Sequence, residues 1–227
     1  GTALRRCWFV DYRFSEDLDF TLIRPITLDE ILAGLNDIFA VIENACGLRI
    51  AFDREDRHGH QNSHTFYLRY QGPLPAANDV KGDITIDEVL CFPLVDRPIH
   101  RAYDGFDDLP EGPTVKVYAL EEIVIEKLLA LSDRARNEPR DLYDLWYLLN
   151  AADLRIAELR TELDAKLAHR QRTAAGIEQA IAAKEERLRR LWTTRLAHQM
   201  SALPPFDDVF RNVLRILRAA GLPRAND

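Results

Sequence analysis

The apolar residues of this chain change period once. Before residue 115 they mostly alternate, one in and one out. From Ala119 they recur at helical spacing with few breaks. A period of 2 is a half-buried strand and a period of 3.6 is an amphipathic helix. That switch predicts an α+β chain: a mixed sheet with flanking helices over 1–115, then a helical part over 116–227. Predicted strands are 17–23, 48–53, 64–70, 80–87 and a short one at 115–118. Residues 2–9 read as the end of a helix. A helix over 28–46 is closed by Gly47, a residue suited to a left-handed C-terminal stop. Later helices are predicted at 119–136, 140–151, about 155–170, about 174–201, and 205–220, the last two split by Pro204-Pro205. The polar loop Asp53–Ser63 and the Pro/Gly/Asp-rich stretch 97–113 are connectors.

Charge divides the chain in a similar way. From residue 151 on there are 14 Lys/Arg against 10 Asp/Glu, which leaves 16 against 27 before it. An acidic first part suits cations and a basic last part suits phosphates. With 47% apolar and 30% charged residues, a disordered chain is excluded. No run of about 18 apolar residues encodes a membrane-spanning helix. Cys7, Cys46 and Cys91 are odd in number and form no CxxC pair. They are expected to be reduced, small core residues of a cytoplasmic protein. The chain opens at Gly1-Thr2 and Met200 is its only methionine, so it is expected to be a piece of a longer protein.

The stretch Arg13-Phe14-Ser15-Glu16-Asp17-Leu18-Asp19-Phe20 carries the most chemistry. In a strand, Asp17 and Asp19 point to one side and Leu18 and Phe20 to the other, into a core. Two adjacent carboxylates repel unless a cation or water screens them. Mg²⁺ takes such oxygen ligands together with substrate phosphates. A second alternating stretch, Val80 to Asp87, puts Asp83, Thr85 and Asp87 on one face. If it lies beside the first strand, Asp83 completes a three-carboxylate site suited to phosphoryl transfer, with Asp87 as the competing third acid. Gly1-Thr2 before a short helix is either a phosphate-binding turn or simply the end of the chain.

In the helix from Ala119, Leu120, Ile123, Val124 and Leu131 share a face, with Glu122 and Glu126 opposite. Lys127 falls in the middle of the apolar face. A lysine there either snorkels to water or meets an anion. Arg134 lies two turns further along the same line. Asp141, in the first turn after Pro139, either complements the helix dipole or faces inward, where it could orient Lys127 or accept a proton. Between 184 and 195 the basic residues are dense and could hold RNA, or simply be solvated. Leu188, Leu191, Trp192 and Leu196 are expected to bury. His58, His60 and His64 suggest zinc by eye, but the spacing favours a solvated loop between strands.

Taken in order, these stretches resemble the AbiEii/AbiGii-type toxin family of nucleotidyltransferases. The matching residues are Gly1-Thr2-Ala3-Leu4, Arg13 to Phe20, Val80 to Ile84, Glu122 through Lys127 to Ala130, Arg134, and Arg140 to Leu145. The resemblance implies a nucleotidyltransferase fold that uses Mg²⁺ and a nucleoside triphosphate. It implies that Asp17 and Asp19 bind metal, with Asp83 as third acid. Ser15 would lie near the triphosphate, Lys127 would contact the nucleotide, and Asp141 would be the late acid of the site. Gly1, Thr2 and Arg13 would join the nucleotide contacts. It further implies transfer to a tRNA acceptor end and a neighbouring antitoxin. Two features depart from the family pattern. Only one glycine precedes Thr2, and Gly82 stands where a hydrophobic residue is common. The alternatives are a nucleotide-binding module without activity and an enzyme acting on a small molecule.

Overall fold

The computed structural model describes residues 1–56, 63–72, 76–101 and 112–222. The chain divides into two compact units. The first holds Gly1–Thr2 and Ser15–Glu88; the second holds Ala3–Phe14 and the chain from Val89 onward.

The first unit is a four-stranded sheet with one helix. Its strands are β1 (Leu18–Thr21), β2 (Arg49–Asp56), β3 (Ser63–Gln71) and β4 (Asn78–Thr85). Their order is β1-β4-β3-β2, with β1 parallel to β4 and the other pairs antiparallel. Helix α1 (Leu28–Cys46) joins β1 to β2. It begins in a capping box: the Thr27 hydroxyl accepts from Glu30 N–H, and the Glu30 carboxylate accepts from Thr27 N–H. It ends as expected at Gly47, whose φ of 72° is left-handed and whose N–H reaches Glu43 O. Ile31 and Phe39 of α1 close a small core over Phe66, Leu68 and Ile84.

Two expectations about this unit need correction. Phe20 is 54% exposed rather than buried. It lies on β1, the sheet's edge, beyond the core that α1 covers. Strand β4 ends at Thr85, so exposed Asp87 lies past it.

In the second unit, a turn of π-helix at Leu4–Trp8 is followed by a hairpin of β5 (Val95–Pro98) and β6 (Thr114–Val117). Strand β5 was not expected; it starts before the Pro/Gly/Asp-rich stretch 97–113 and overlaps it only at Arg97 and Pro98. Arg97 Nε donates to Cys7 O at 3.0 Å, His100 N–H donates to Arg6 O, and the Arg97 guanidinium stacks over Trp8. These bonds tie the hairpin to residues 3–14; both segments group with the helices, so the division by contacts falls at Glu88/Val89 while the change of period falls near 115.

The helices that follow are α2 (Leu120–Ser132), α3 (Pro139–Ala151), α4 (Arg160–His169), α5 (Ile177–Ala182), α6 (Glu185–Leu196) and α7 (Phe206–Ala219). Leu128, Leu142, Leu145, Leu148, Leu163, Leu188 and Val209 are among the side chains sealed in their common core. Trp192 and Leu196 bury as expected. The predicted 174–201 helix is instead α5, a turn at 183–184, and α6. At the turn, the Lys184 ammonium folds back onto the carbonyls of Leu131, Asp133 and Arg136. It thereby satisfies carbonyls at and beyond the end of α2, which stops at Ser132 rather than 136.

Helix α2 is buried on more than its apolar stripe. Glu122 is only 1% exposed, pairs with the sealed Lys166 at 2.5 Å, and accepts the N–H groups of Cys91 and Phe92. Of the thiols, only Cys7 is a core residue; Cys46 is exposed at the end of α1 and Cys91 is half-buried. Among the described residues no helix is long and apolar enough to cross a membrane.

Candidate active site

The acidic residues belong to the sheet unit. The parallel register of β1 and β4 sets Asp19 opposite Asp83, and Asp17 lies two residues before Asp19. The Thr2 hydroxyl donates to the backbone carbonyl of Asp17 at 2.5 Å, fixing the entry to β1. Ser15 and Gly1 are half-buried. The Asp83 carboxylate accepts from the Thr65 hydroxyl and from the Lys81 ammonium. Burial works against the Lys81 charge, yet Asp83 and then Asp17 raise its pKa above the usual lysine value. Lys81 is therefore the local counter-charge of the acid face. Alternation placed Lys81 and Asp83 on one face, and that was the signal by which the lysine could have been found.

Gly82 has a steric reason. It pairs with Phe66 across β3 and β4, and a Cβ at Gly82 would lie 2.5 Å from the Phe66 ring. The buried ring takes the space where the hydrophobic side chain common in the family would stand. The glycine thus keeps the register that brings Asp83 to Asp19.

Among the described residues, no group of three or more His, Cys, Asp or Glu side chains is gathered as a metal site. The donors on the β1–β4 face are nonetheless hard carboxylate oxygens, and they already draw in a cation, Lys81. That chemistry fits Mg²⁺ on Asp17 and Asp19. The suspected zinc histidines His58 and His60 lie outside the described residues; His64 sits on β3 opposite Ile84.

The lysine belongs to the helical unit, where it meets anions. Lys127 Nζ lies 2.9 Å from Asp141 Oδ1 and 2.7 Å from Asp144 Oδ2, with 15% of its side chain exposed. Both carboxylates are sealed. Asp144 also accepts from Arg13 Nε at 2.6 Å, Arg13 Nη2 at 2.7 Å and the Tyr12 hydroxyl at 2.5 Å. Asp141 accepts from Arg136 Nε at 2.6 Å. The remaining Arg13 Nη1 donates to Phe14 O and Gln199 Oε1. Arg13 is thus a buried strut, with its donors committed inside this unit.

The charges follow from the pairing. Burial alone would raise the Asp144 pKa, but Lys127 and then Arg13 hold it far below the usual carboxylate range. Asp141 is likewise lowered, burial being outweighed by Lys127 and Arg136. Lys127 is raised, since Asp144 and Asp141 overcome its burial. Tyr12 is pushed well above its ordinary value by burial and by Asp144. Asp144, Tyr12 and Arg136 were not among the residues expected at the site. Asp144 could have been found, because it follows Asp141 by three residues on the same helical face.

The small mixed sheet with flanking helices and a helical C-terminal part is the fold of a nucleotidyltransferase toxin. The structure of MenT4, a nucleotidyltransferase toxin from Mycobacterium tuberculosis H37Rv, is similar in fold, with a TM-score of 0.56 and 20% identity over 98% of this chain and 78% of that one. The family model described as nucleotidyl transferase AbiEii toxin, type IV toxin–antitoxin system, matches residues 1–212. The chain belongs to this family of nucleotidyltransferase toxins. No curated protein matches the chain in sequence.

Proposed function

We propose that the chain is a Mg²⁺-dependent, cytoplasmic enzyme that transfers a nucleoside monophosphate from a nucleoside triphosphate to the 3′ end of a tRNA, and that a cognate antitoxin protein counters it. The observation that carries this reading is the β1–β4 register, which puts Asp19 beside Asp83 on a strand that begins just after Asp17. Asp17 and Asp19 would hold the metal, with Asp83, which is paired with Lys81, as the third acid. When bound, Mg²⁺ supplies positive charge for the attacking oxygen and the departing pyrophosphate.

The chain's own residues do the rest. Lys127 has three donors, and two carboxylates take two of them, leaving one for a phosphate oxygen. Asp141 orients Lys127; with its pKa lowered by two cations, it is a poor proton acceptor. Arg13 holds Asp144, and through it Lys127, in place. Gly1, Thr2 and Ser15 bind the triphosphate. In the reaction, the 3′-hydroxyl oxygen bonds to the α-phosphorus and gives up its proton to water, while the bond from that phosphorus to pyrophosphate breaks and pyrophosphate leaves.

The test is incorporation of each labelled nucleoside triphosphate into total tRNA with Mg²⁺, by wild type and Asp17→Asn. Label from one nucleotide should enter tRNA. It should fall by about 10³-fold in the variant, which corresponds to the several kcal/mol that a metal contributes. A fully active Asp17→Asn protein would sink the metal assignment. Label appearing only in small molecules would move the acceptor to that class, and nucleotide binding without any transfer would mark a non-catalytic module.

A further inference from the structure

The helical unit contains a cavity of about 1020 Å³ at the C-terminal end of α2, lined also by α5, the start of α6 and the turn before α5. Its lining holds four cations, Arg134, Arg172, Lys184 and Arg187, and one carboxylate, Asp133. Lys184 is committed: its ammonium binds three carbonyls and so fixes the loop after α2. Arg172 gives one nitrogen to Ser132. Arg134 and Arg187 are exposed. The Asp133 carboxylate accepts from the N–H of Ala135 and offsets one of the four positive charges, so the lining keeps a net positive charge.

We infer that this groove holds the phosphodiester backbone of the RNA acceptor, with Arg134, Arg172 and Arg187 as its phosphate contacts. The inference rests on the RNA-acceptor reading above. Three features favour a nucleic-acid strand. The volume, about 1020 Å³, is large enough to admit a segment of a nucleic-acid strand. Among the described lining residues there is no aromatic side chain to grip a base, which leaves sugar and phosphate as the recognised groups. The guanidinium groups come from three separate segments, so each can meet a different phosphate in a bidentate contact.

The groove is also connected to the catalytic lysine. Lys127 binds Asp141, Asp141 binds Arg136, and the Arg136 carbonyl is held at 2.7 Å by Lys184 in the groove lining. A strand lying in the groove would therefore rest on the same loop that orients Lys127. An acidic protein segment would use the same charges but has no need of that connection.

The experiment is the affinity of the protein for tRNA as a function of KCl concentration. Wild type, Arg134→Gln, Arg187→Gln and the double variant are compared with Arg215→Gln, an exposed arginine on α7 outside the groove. Each phosphate contact contributes about 0.7 to 0.9 to the slope of log affinity against log salt. Each groove variant should lower the slope by about that amount, and the double variant by about twice as much, while Arg215→Gln leaves it unchanged. Slopes equal to wild type in the groove variants, or lowered equally by Arg215→Gln, would overturn the groove assignment while leaving the RNA acceptor standing. A wild-type protein that binds no tRNA at any salt would overturn both.

Discussion

Asp144 shows how one side chain sets the state of several others. It is fully buried and receives bonds from Arg13, Tyr12 and Lys127. Replacing it by Asn removes the charge, leaving the buried Arg13 without its carboxylate partner and Lys127 with Asp141 alone. Breaking such a pair costs about 3–5 kcal/mol. Asp144→Asn should therefore lower the thermal midpoint strongly, whereas Asp17→Asn at a half-buried position should hardly move it. Calorimetry of the two variants side by side checks this. Lys127→Arg provides a finer test. The charge is kept, so the fold should survive, but a planar fork cannot replace a compact ammonium between two carboxylates. Transfer activity should fall at least tenfold (about 1.4 kcal/mol) with an intact circular dichroism spectrum.

At the scale of elements, the β3–β4 pair decides where Asp83 lies. Phe66 packs on Gly82, and one extra methyl group there would meet the ring at 2.5 Å. Overpacking of this kind costs about 1–3 kcal/mol. Gly82→Ala should destabilise the protein by that amount in urea unfolding, and Gly82→Ala with Phe66→Leu should recover part of the loss. If Gly82→Ala alone were as stable as wild type, the ring would not be what reserves that position for glycine. The same scale explains the missed strand. Strand β5 is four residues long, carries Pro98, and has a single partner, so neither length nor composition marks it.

Across the whole molecule, stability should have a plateau in pH bounded by one buried cluster. The Asp144 and Asp141 pKa values are lowered by folding. Their contribution is present above the unfolded carboxylate value of about 4 and is lost as pH falls through the folded values. Lys127 and Tyr12 are raised. Their contribution is present below the unfolded values of about 10 and is lost as pH rises through the folded ones. Thermal midpoints measured from pH 3 to pH 11 should be flat in between and fall at both ends. A Tyr12→Phe variant should lose the part of the alkaline fall that comes from the phenol.

Much of this was legible because short-range periodicity is a local property. The switch from period 2 to period 3.6 located the sheet and most of the helices. The acidic pair, the strand bearing Asp83, and Lys127 with Asp141 followed from residue spacing and family resemblance. The tertiary structure decided what spacing cannot carry: which strand is an edge, and so why Phe20 is exposed; which partner hides a charge, and so why Glu122 is buried. It also decided that Arg13, adjacent in sequence to the acidic stretch, is bound to Asp144, 131 residues away. The physical reason is that a buried charge is tolerated only with its partner, and the partner is chosen by packing among helices rather than by distance along the chain.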